Sequence, residues 1–202
     1  MRGEYDRIAD SYDHRWKNYI DLSVQETVDR MQLSPGDRIL DLGCGTGTLF
    51  EKLGRMHPDV SFTGLDLSLK MLTVAQEKLG AGAGFVGGRV HQLPFADKFF
   101  DVVVSCSSFH FWRDPHGALL EIARVTRPGG TVLITDWCDD YLTSRLVDLF
   151  LRCFNAGHFH SYRARECQAI FETSGLQDIR IERYKIDWLW GLMTVKAVTA
   201  SS

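Results

Sequence analysis

The sequence predicts an α/β protein, a mostly parallel sheet with helices on both faces. Three observations lead there. Short apolar runs alternate with stretches of helical periodicity along most of the chain. One of these runs, "FDVVVSCSS", is continuously apolar at its centre, as a parallel strand covered on both faces requires. And "ILDLGCGTG" (Ile39 to Gly47) places a strand, a glycine-rich turn and a helix start in succession.

Length and composition bound the reading. A chain of 202 residues fits one domain with a substantial core. A net charge of −3 with 24% charged residues provides no basic field of the kind that holds nucleic acid, so no nucleic-acid partner is expected. The beginning, "MRGEYDRIAD", is charged, and no apolar stretch long enough to span a membrane occurs, so a cytoplasmic protein is expected. The five cysteines contain no C-x-x-C pair and read as buried free thiols of a reducing compartment.

Taken in order, Tyr5, Ile8, Ala9, Tyr12, Trp16 and Ile20 form an apolar stripe at helical spacing, a leading helix or helix pair that stops before the turn "SPGD". Arg38 to Leu42 reads as a buried strand and Thr46 to Arg55 as the helix after the glycine turn. "VSFTGLDLS" is a second strand, with Ser68 capping a helix whose buried positions are Met71, Leu72, Ala75 and Leu79. A brief strand is expected around Phe85 and Val86, then the central strand already quoted. Asp114 and Pro115 start a further helix, which "RPGG" should stop, and "TVLITDW" makes the fifth strand. Helices from about Tyr141 to Asn155 and from Ala164 to Thr173 precede "DIRIERYKI" and "WLWGLMTVKAV", a probable antiparallel hairpin breaking at Asp187.

The glycine turn speaks about its ligand. A strand, a glycine turn and a helix, with an acidic residue (Asp66) ending the next strand, form the general arrangement for a ribose-bearing ligand, whose hydroxyls donate to the carboxylate. Gly43, Gly45 and Gly47 are spaced G-x-G-x-G, not G-x-G-x-x-G, and no G-K-[ST] follows, so neither a pyrophosphate nor a P-loop site is indicated. Asp41, two residues before the first glycine, would repel a pyrophosphate but attract an ammonium or sulfonium. The loop suits a cationic nucleoside without phosphates.

These residues, with "YDRIADSYD", "GLDLS", "LPFADKFFDVVVS", "RPGG" and "WGLMTVKA", occur in an order that resembles the class I S-adenosylmethionine-dependent methyltransferases. The resemblance is to the small single-domain type that includes ubiquinone- and menaquinone-biosynthesis methyltransferases, and it covers residues 4 to 198. It implies a Rossmann-like seven-stranded sheet of order 3-2-1-4-5-7-6 with the last strand antiparallel, and S-adenosylmethionine as cofactor, with S-adenosylhomocysteine as its product. By motif, Asp41, Gly43, Cys44, Gly45 and Gly47 would face the methionine and ribose, Asp66 the ribose hydroxyls, and Leu67 and Met71 the adenine. Arg89 and Val90 would lie at the adenine edge and Ser105 near the methionine portion. Arg89 departs from the family, which commonly has an aspartate there accepting from the adenine amino group; an arginine has no acceptor. Either another group makes that contact, or the register of the glycine-rich loop is shifted by a residue or two.

Methyl transfer needs an aligned nucleophile, and a base only if the nucleophile arrives protonated. His110, just past the fourth strand, is the leading candidate base, or else a packing histidine bonded to backbone. His158 and His160 belong to a cap region (138–175) as pocket-facing or solvated residues; no third ligand accompanies them, so no metal is expected. Residues 1–33 would form a lid, with Tyr12 and Trp16 closing over the cofactor or simply packing. Phe109, Phe111, Trp112, Trp137 and Phe159 point to a small apolar or aromatic acceptor. A non-catalytic binder of the same nucleosides and a nicotinamide-dependent oxidoreductase are the competing classes. The oligomeric state is not legible.

Overall fold

The computed structural model describes residues 2–145 and 160–201. Its seven strands are β1 (Arg38–Leu42), β2 (Ser61–Asp66), β3 (Ala83–Gly87), β4 (Phe100–Cys106), β5 (Thr126–Trp137), β6 (Leu176–Lys185) and β7 (Gly191–Thr199). They form one sheet in the order β3-β2-β1-β4-β5-β7-β6. β1 to β5 run parallel to one another, and β7 is antiparallel to both β5 and β6. The helices are α1 (Arg2–Ile8), α2 (Tyr12–Arg15), α3 (Lys17–Arg30), α4 (Thr48–Met56), α5 (Leu69–Leu79), α6 (Pro115–Val125) and α7 (Ala164–Glu172).

Alternation along the central strands divides the core in two. Leu40, Leu42, Val103, Val132 and Ile134 point to one face, where they meet Leu119 and Ile122 of α6 and Phe171 of α7. Ile39, Val102, Val104 and Leu133 point to the other, against Ile20 and Val24 of α3 and Leu49, Phe50 and Leu53 of α4. Each such side chain contributes on the order of 1.5–3 kcal/mol by leaving water. That two-sided burial explains why these strands read as unbroken apolar runs.

The sequence reading needs three local corrections. The leading helix is not continuous: a 3-10 turn at Ala9–Ser11 and a non-helical Trp16 split it into α1, α2 and α3. The helix after the glycine turn begins at Thr48, two residues late, because Gly45 and Gly47 have φ of +53° and +75°, outside the right-handed helical region. α6 ends at Val125, just before "RPGG" as expected, but β5 begins at Thr126 and not at Thr131, so "RPGG" lies inside the strand, where the pairing with β4 shifts register between Phe100 and Val102. Of the helix expected over Tyr141 to Asn155, only residues 142–145 are described, and these are helical; its remainder lies outside the described residues. Ser68 and Asp114 cap α5 and α6 as expected, accepting from the backbone N–H groups of Met71 and Gly117. Among the described residues, no helix is long and apolar enough to cross a membrane.

Gly64 sits in β2 between Asp41 of β1 and Phe85 of β3. A Cβ there would lie 2.6 Å from the Cys44 sulfur and 2.9 Å from the Phe85 ring. Gly64→Ala is therefore expected to destabilise the fold by about 1–3 kcal/mol. A thermal unfolding curve should show the midpoint lowered by several degrees, and an unchanged midpoint would mean that Cys44 and Phe85 yield at no cost.

Candidate active site

A cavity of about 460 Å³ opens at the C-terminal ends of β1, β2 and β4. Gly43 and Gly45 form one wall, and Asp66, Leu67, Ser68 and Met71 another. Residues Gly88 to His91 follow β3, and Ser107, Ser108 and the loop Phe111 to Asp114 follow β4, while Tyr5 and Tyr12 close the remaining side. Asp66 is held from two directions. The Gly45 N–H donates to its Oδ2 at 2.9 Å and the Ser68 N–H to its Oδ1 at 2.8 Å. Burial pushes this carboxyl above its ordinary value, and the backbone N–H bonds act against that push.

The glycines do two different jobs. At Gly43, with φ +74°, a Cβ would stand 2.4 Å from the Ser108 Cβ, so the absent side chain lets the loops after β1 and β4 meet. At Gly45 a Cβ would meet nothing within 4 Å; there the absent side chain leaves the cavity wall as bare backbone. Beneath the loop, Asp41 is 2% exposed, and its Oδ1 has no hydrogen-bond partner among the described residues. Burial, then the charge of Asp66, pushes the Asp41 carboxyl up to about 8. An orphaned buried acceptor of this kind calls for a cation or a donor.

The segment before α3 is tied to the cavity by carboxylates. Asp6 accepts from the Ser68 hydroxyl at 2.6 Å, Asp10 stands 3.5 Å from the Lys70 ammonium, and Asp13 accepts from both the Thr46 hydroxyl and Lys78. These bonds set Tyr5 edge-on to Tyr12 and to Phe111. Burial pushes the Tyr12 phenol well above its ordinary value.

Beside the cavity lies an aromatic cluster. The His110 ring is stacked on Trp137 at 4.2 Å and 7°, and Trp137 is stacked on Trp190 at 5.1 Å. The Trp137 indole N–H donates to the Tyr19 hydroxyl at 2.7 Å, which is bonded to the Ser107 hydroxyl at 2.6 Å. Ser107, in the left-handed region at φ +59°, thus connects the cluster to the cavity wall. His110 is buried, with its Nδ1 2.7 Å from Asp136 Oδ1.

Of the residues singled out in the sequence, Tyr12, Gly43, Gly45, Asp66, Leu67, Met71, Arg89 and Val90 line the cavity. Asp41, Cys44, Gly47 and Ser105 do not. Cys44 is buried in the core under α4; Gly47 precedes Thr48, where a Cβ would strike Leu79; and Ser105 bonds Ser108 from inside the sheet. His110 lies in the cluster instead. His160 is half-buried against Tyr162 and Glu166, and its N–H donates to the His110 carbonyl at 3.1 Å. His158 and Phe159 lie outside the described residues. Trp16 is exposed and Phe109 is buried in the core, so neither faces the cavity, whereas Phe111 and Trp112 do. The reading missed Tyr19, Ser107, Ser108, Arg113, Asp114 and Asp136. "SCSS" at the end of β4 was a usable signal for the serines, since loops after strand ends build such sites. Nothing local marked Tyr19 or Asp136.

A sheet of this order, with a cavity bounded by a glycine turn and a fixed carboxylate at the strand ends, is a Rossmann-like architecture of the class I transferase type. A methyltransferase-domain profile matches residues 40–134. The demethylmenaquinone methyltransferase of Thermotoga maritima is 31% identical over 173 residues, 79% of this chain and 75% of that protein. A fatty-acid O-methyltransferase of Mycolicibacterium smegmatis is 40% identical over 102 residues, 50% of this chain but only 37% of the relative. Among solved structures, a complex between the Haloferax volcanii Trm112 methyltransferase activator and a methyltransferase matches with a TM-score of 0.86 at 22% identity, covering 98% of each chain. The chain belongs to the class I S-adenosylmethionine-dependent methyltransferases, similar to those of quinone biosynthesis, and its cofactor is S-adenosylmethionine. The residues present fit that cofactor in kind: the cavity holds a carboxylate oriented by two backbone N–H groups and apolar walls, and beneath its glycine wall, outside the lining, lies a buried carboxylate oxygen with no hydrogen-bond partner among the described residues.

Asp41 sets a pH dependence. A folded-state value of about 8 lies above the ordinary carboxyl value of 3.8, so between roughly pH 4 and 8 the folded protein holds a proton that the unfolded chain has released. The unliganded protein should therefore lose stability as pH rises through that window. In Asp41→Asn this part of the loss should disappear, so the midpoint difference between variant and parent should grow from pH 5 to pH 8 in parallel thermal unfolding series. A pH-independent difference would refute the assignment.

Proposed function

We propose that the protein methylates a small, flat, apolar or aromatic acceptor bound beside the cofactor cavity. The observation that carries this reading is the stack of His110, Trp137 and Trp190, joined to the cavity wall through Tyr19 and Ser107. Ring faces offer broad apolar contact to a planar molecule, and the hydroxyls give it orientation. When bound, S-adenosylmethionine supplies an activated methyl group on a sulfonium.

In this reading Asp66, oriented by two backbone N–H groups, accepts from the ribose hydroxyls, and Leu67, Met71 and Val90 cover the base. Arg89 lies on the cavity wall at that edge. Asp41, with Gly43 and Gly45 above it, gives the cationic end of the ligand its counter-charge, which a phosphate-bearing dinucleotide could not use. Residues 1–33 act as a lid through Tyr5 and Tyr12. His110 is the base where one is needed, and His160 supports it through the backbone bond to its carbonyl. The described residues of the expected cap, 138–145 and 160–175, flank the acceptor side. That the Thermotoga relative is named for a quinone precursor supports a small ring-bearing acceptor.

Calorimetric titration tests the cofactor half directly. S-adenosylmethionine and S-adenosylhomocysteine should bind, and NAD should not. Asp66→Ala should weaken both nucleosides about 10- to 100-fold by removing charge-assisted bonds; unchanged affinity would reject the ribose assignment. Near neutral pH, S-adenosylmethionine should release a proton, visible as a dependence of the heat on buffer ionisation, as the cationic ligand ionises Asp41. A screen of planar apolar molecules for S-adenosylhomocysteine formation tests the acceptor half.

A further inference from the structure

We infer that Asp114 determines specificity for the base of the cofactor, its carboxylate accepting the hydrogen bond from the adenine amino group that the Arg89 side chain cannot accept. The inference rests on the proposed placing of the ribose at Asp66 and of the base against Leu67, Met71 and Val90, and it deepens that side of the reading. Among the described residues, Asp66 and Asp114 are the two carboxylate side chains on the cavity wall. Asp66 is engaged by the Gly45 and Ser68 N–H groups at the end of β2. Asp114 follows β4 and is exposed, with one oxygen in use. Its Oδ1 accepts from the Gly117 N–H at 2.9 Å, and its Oδ2 has no bonded partner among the described residues.

The packing of α6 brings Asp114 to the wall that holds the base in this reading. One face of the helix grips the loop after β3. Glu121 accepts from the Leu93 N–H at 2.8 Å, and Arg124, paired with Glu121, donates to the Leu93 and Phe95 carbonyls at 3.0 and 2.9 Å. Seven residues of helix turn through about 700°, close to two full turns, so Asp114 at the head of α6 stands above Glu121 on that same face. Val90, Leu93, Phe111 and Trp112 pack in one cluster, which joins the loops after β3 and β4 on this side of the sheet. The Asp114 side chain is fixed there. Its bond to the Gly117 N–H caps α6, and a Cβ on Gly117 would collide with Oδ2, so the glycine leaves that oxygen its place. Arg89, His91 and Arg113 share this part of the wall. Both arginines only donate, and a neutral imidazole offers one uncharged acceptor, so the carboxylate is the strongest acceptor side chain beside the base.

A carboxylate at this edge distinguishes bases by a single group. An amino group donates to it, whereas a carbonyl oxygen at the same ring position, as in hypoxanthine, would set a lone pair against its charge. Loss of the bond and repulsion act in the same direction, which makes the discrimination larger than the bond alone. Arg89, as a donor, would by itself favour the carbonyl. The two side chains therefore demand opposite preferences.

Calorimetric titration with S-adenosylhomocysteine and with its deaminated counterpart, in which hypoxanthine replaces adenine, measures that preference and needs no methyl acceptor. The parent should bind the adenine compound at least about 10-fold more tightly. Asp114→Asn keeps an oxygen to cap α6 but replaces the second oxygen by an N–H donor. Its affinity for the adenine compound should fall about 10-fold and its affinity for the hypoxanthine compound should rise, with the thermal unfolding midpoint barely moved. Asp114→Ser, which also caps, should lose the adenine preference without gaining the opposite one, and it serves where Asp114→Asn does not fold. Equal weakening of both compounds, or an adenine preference that neither variant changes, would overturn the inference and leave Asp114 as a helix cap. Loss of the preference in His91→Ala instead would transfer the role to the imidazole and overturn it too. A parent that binds both compounds equally would overturn it as well, whereas a parent that binds neither would overturn the cofactor placing on which it rests.

Discussion

The site depends on one hydrogen-bonded carboxylate. Asp66 ends β2, and its two oxygens accept from the N–H of Gly45, in the turn after β1, and of Ser68, at the start of α5. A single side chain thereby fixes two strand-to-helix turns against one another. The arrangement requires Gly45 at positive φ, Gly43 close under Ser108, and Gly64 with no side chain to displace Cys44. Each of these backbone features is destabilising or neutral alone. Together they keep an acidic, partly desolvated edge open to a ligand, in the pattern by which strain gathers at functional sites.

That edge has two halves with different chemistry. On the β1 and β2 side, Asp41 and Asp66 lie together under a glycine wall, and burial with the charge of Asp66 keeps the Asp41 proton on up to about pH 8. On the β4 and β5 side, Asp136 is fully bonded and surrounded by rings. The first half leaves a buried acceptor without a hydrogen-bond partner among the described residues; in the second the carboxylate has three donors. The switch in strand order between β1 and β4 lies between them, where ligands bind in open α/β sheets.

What the sequence revealed and what it concealed follow from the range of the interactions. Strands buried on both faces announce themselves as apolar runs, and turns whose backbone must take positive φ announce themselves as glycine, so β1, β2, β4 and the glycine loop were readable. So were local caps such as Ser68 and Asp114, whose partners lie three residues away. "RPGG" concealed the start of β5 because those residues usually lie between elements, yet here they fall at the register shift of a strand that pairs with β4 and β7 from Thr131 on. Tyr19, bonded to Ser107 88 positions away, and Asp136, bonded to His110, carry no local signature; only the sheet order brings them together.

The segment before α3, the proposed lid, shows how weak interactions serve this design. Asp10 and Lys70 are largely exposed, and such a pair contributes at most about 1 kcal/mol. The bond of Asp6 to Ser68 and those of Asp13 to Thr46 and Lys78 are more sheltered, but they too lie at the surface of the fold and not in its core. The breaks at Ala9–Ser11 and at Trp16 divide this segment into short helices that cannot hold themselves together without such bonds. A continuous, apolar leading helix would seal the cavity with Tyr5 and Tyr12 fixed over it. In the proposed reading the segmented one, latched by carboxylates to α5 and to the glycine turn, releases the cavity without disturbing either core, the freedom that exchange of one nucleoside for another at every turnover requires.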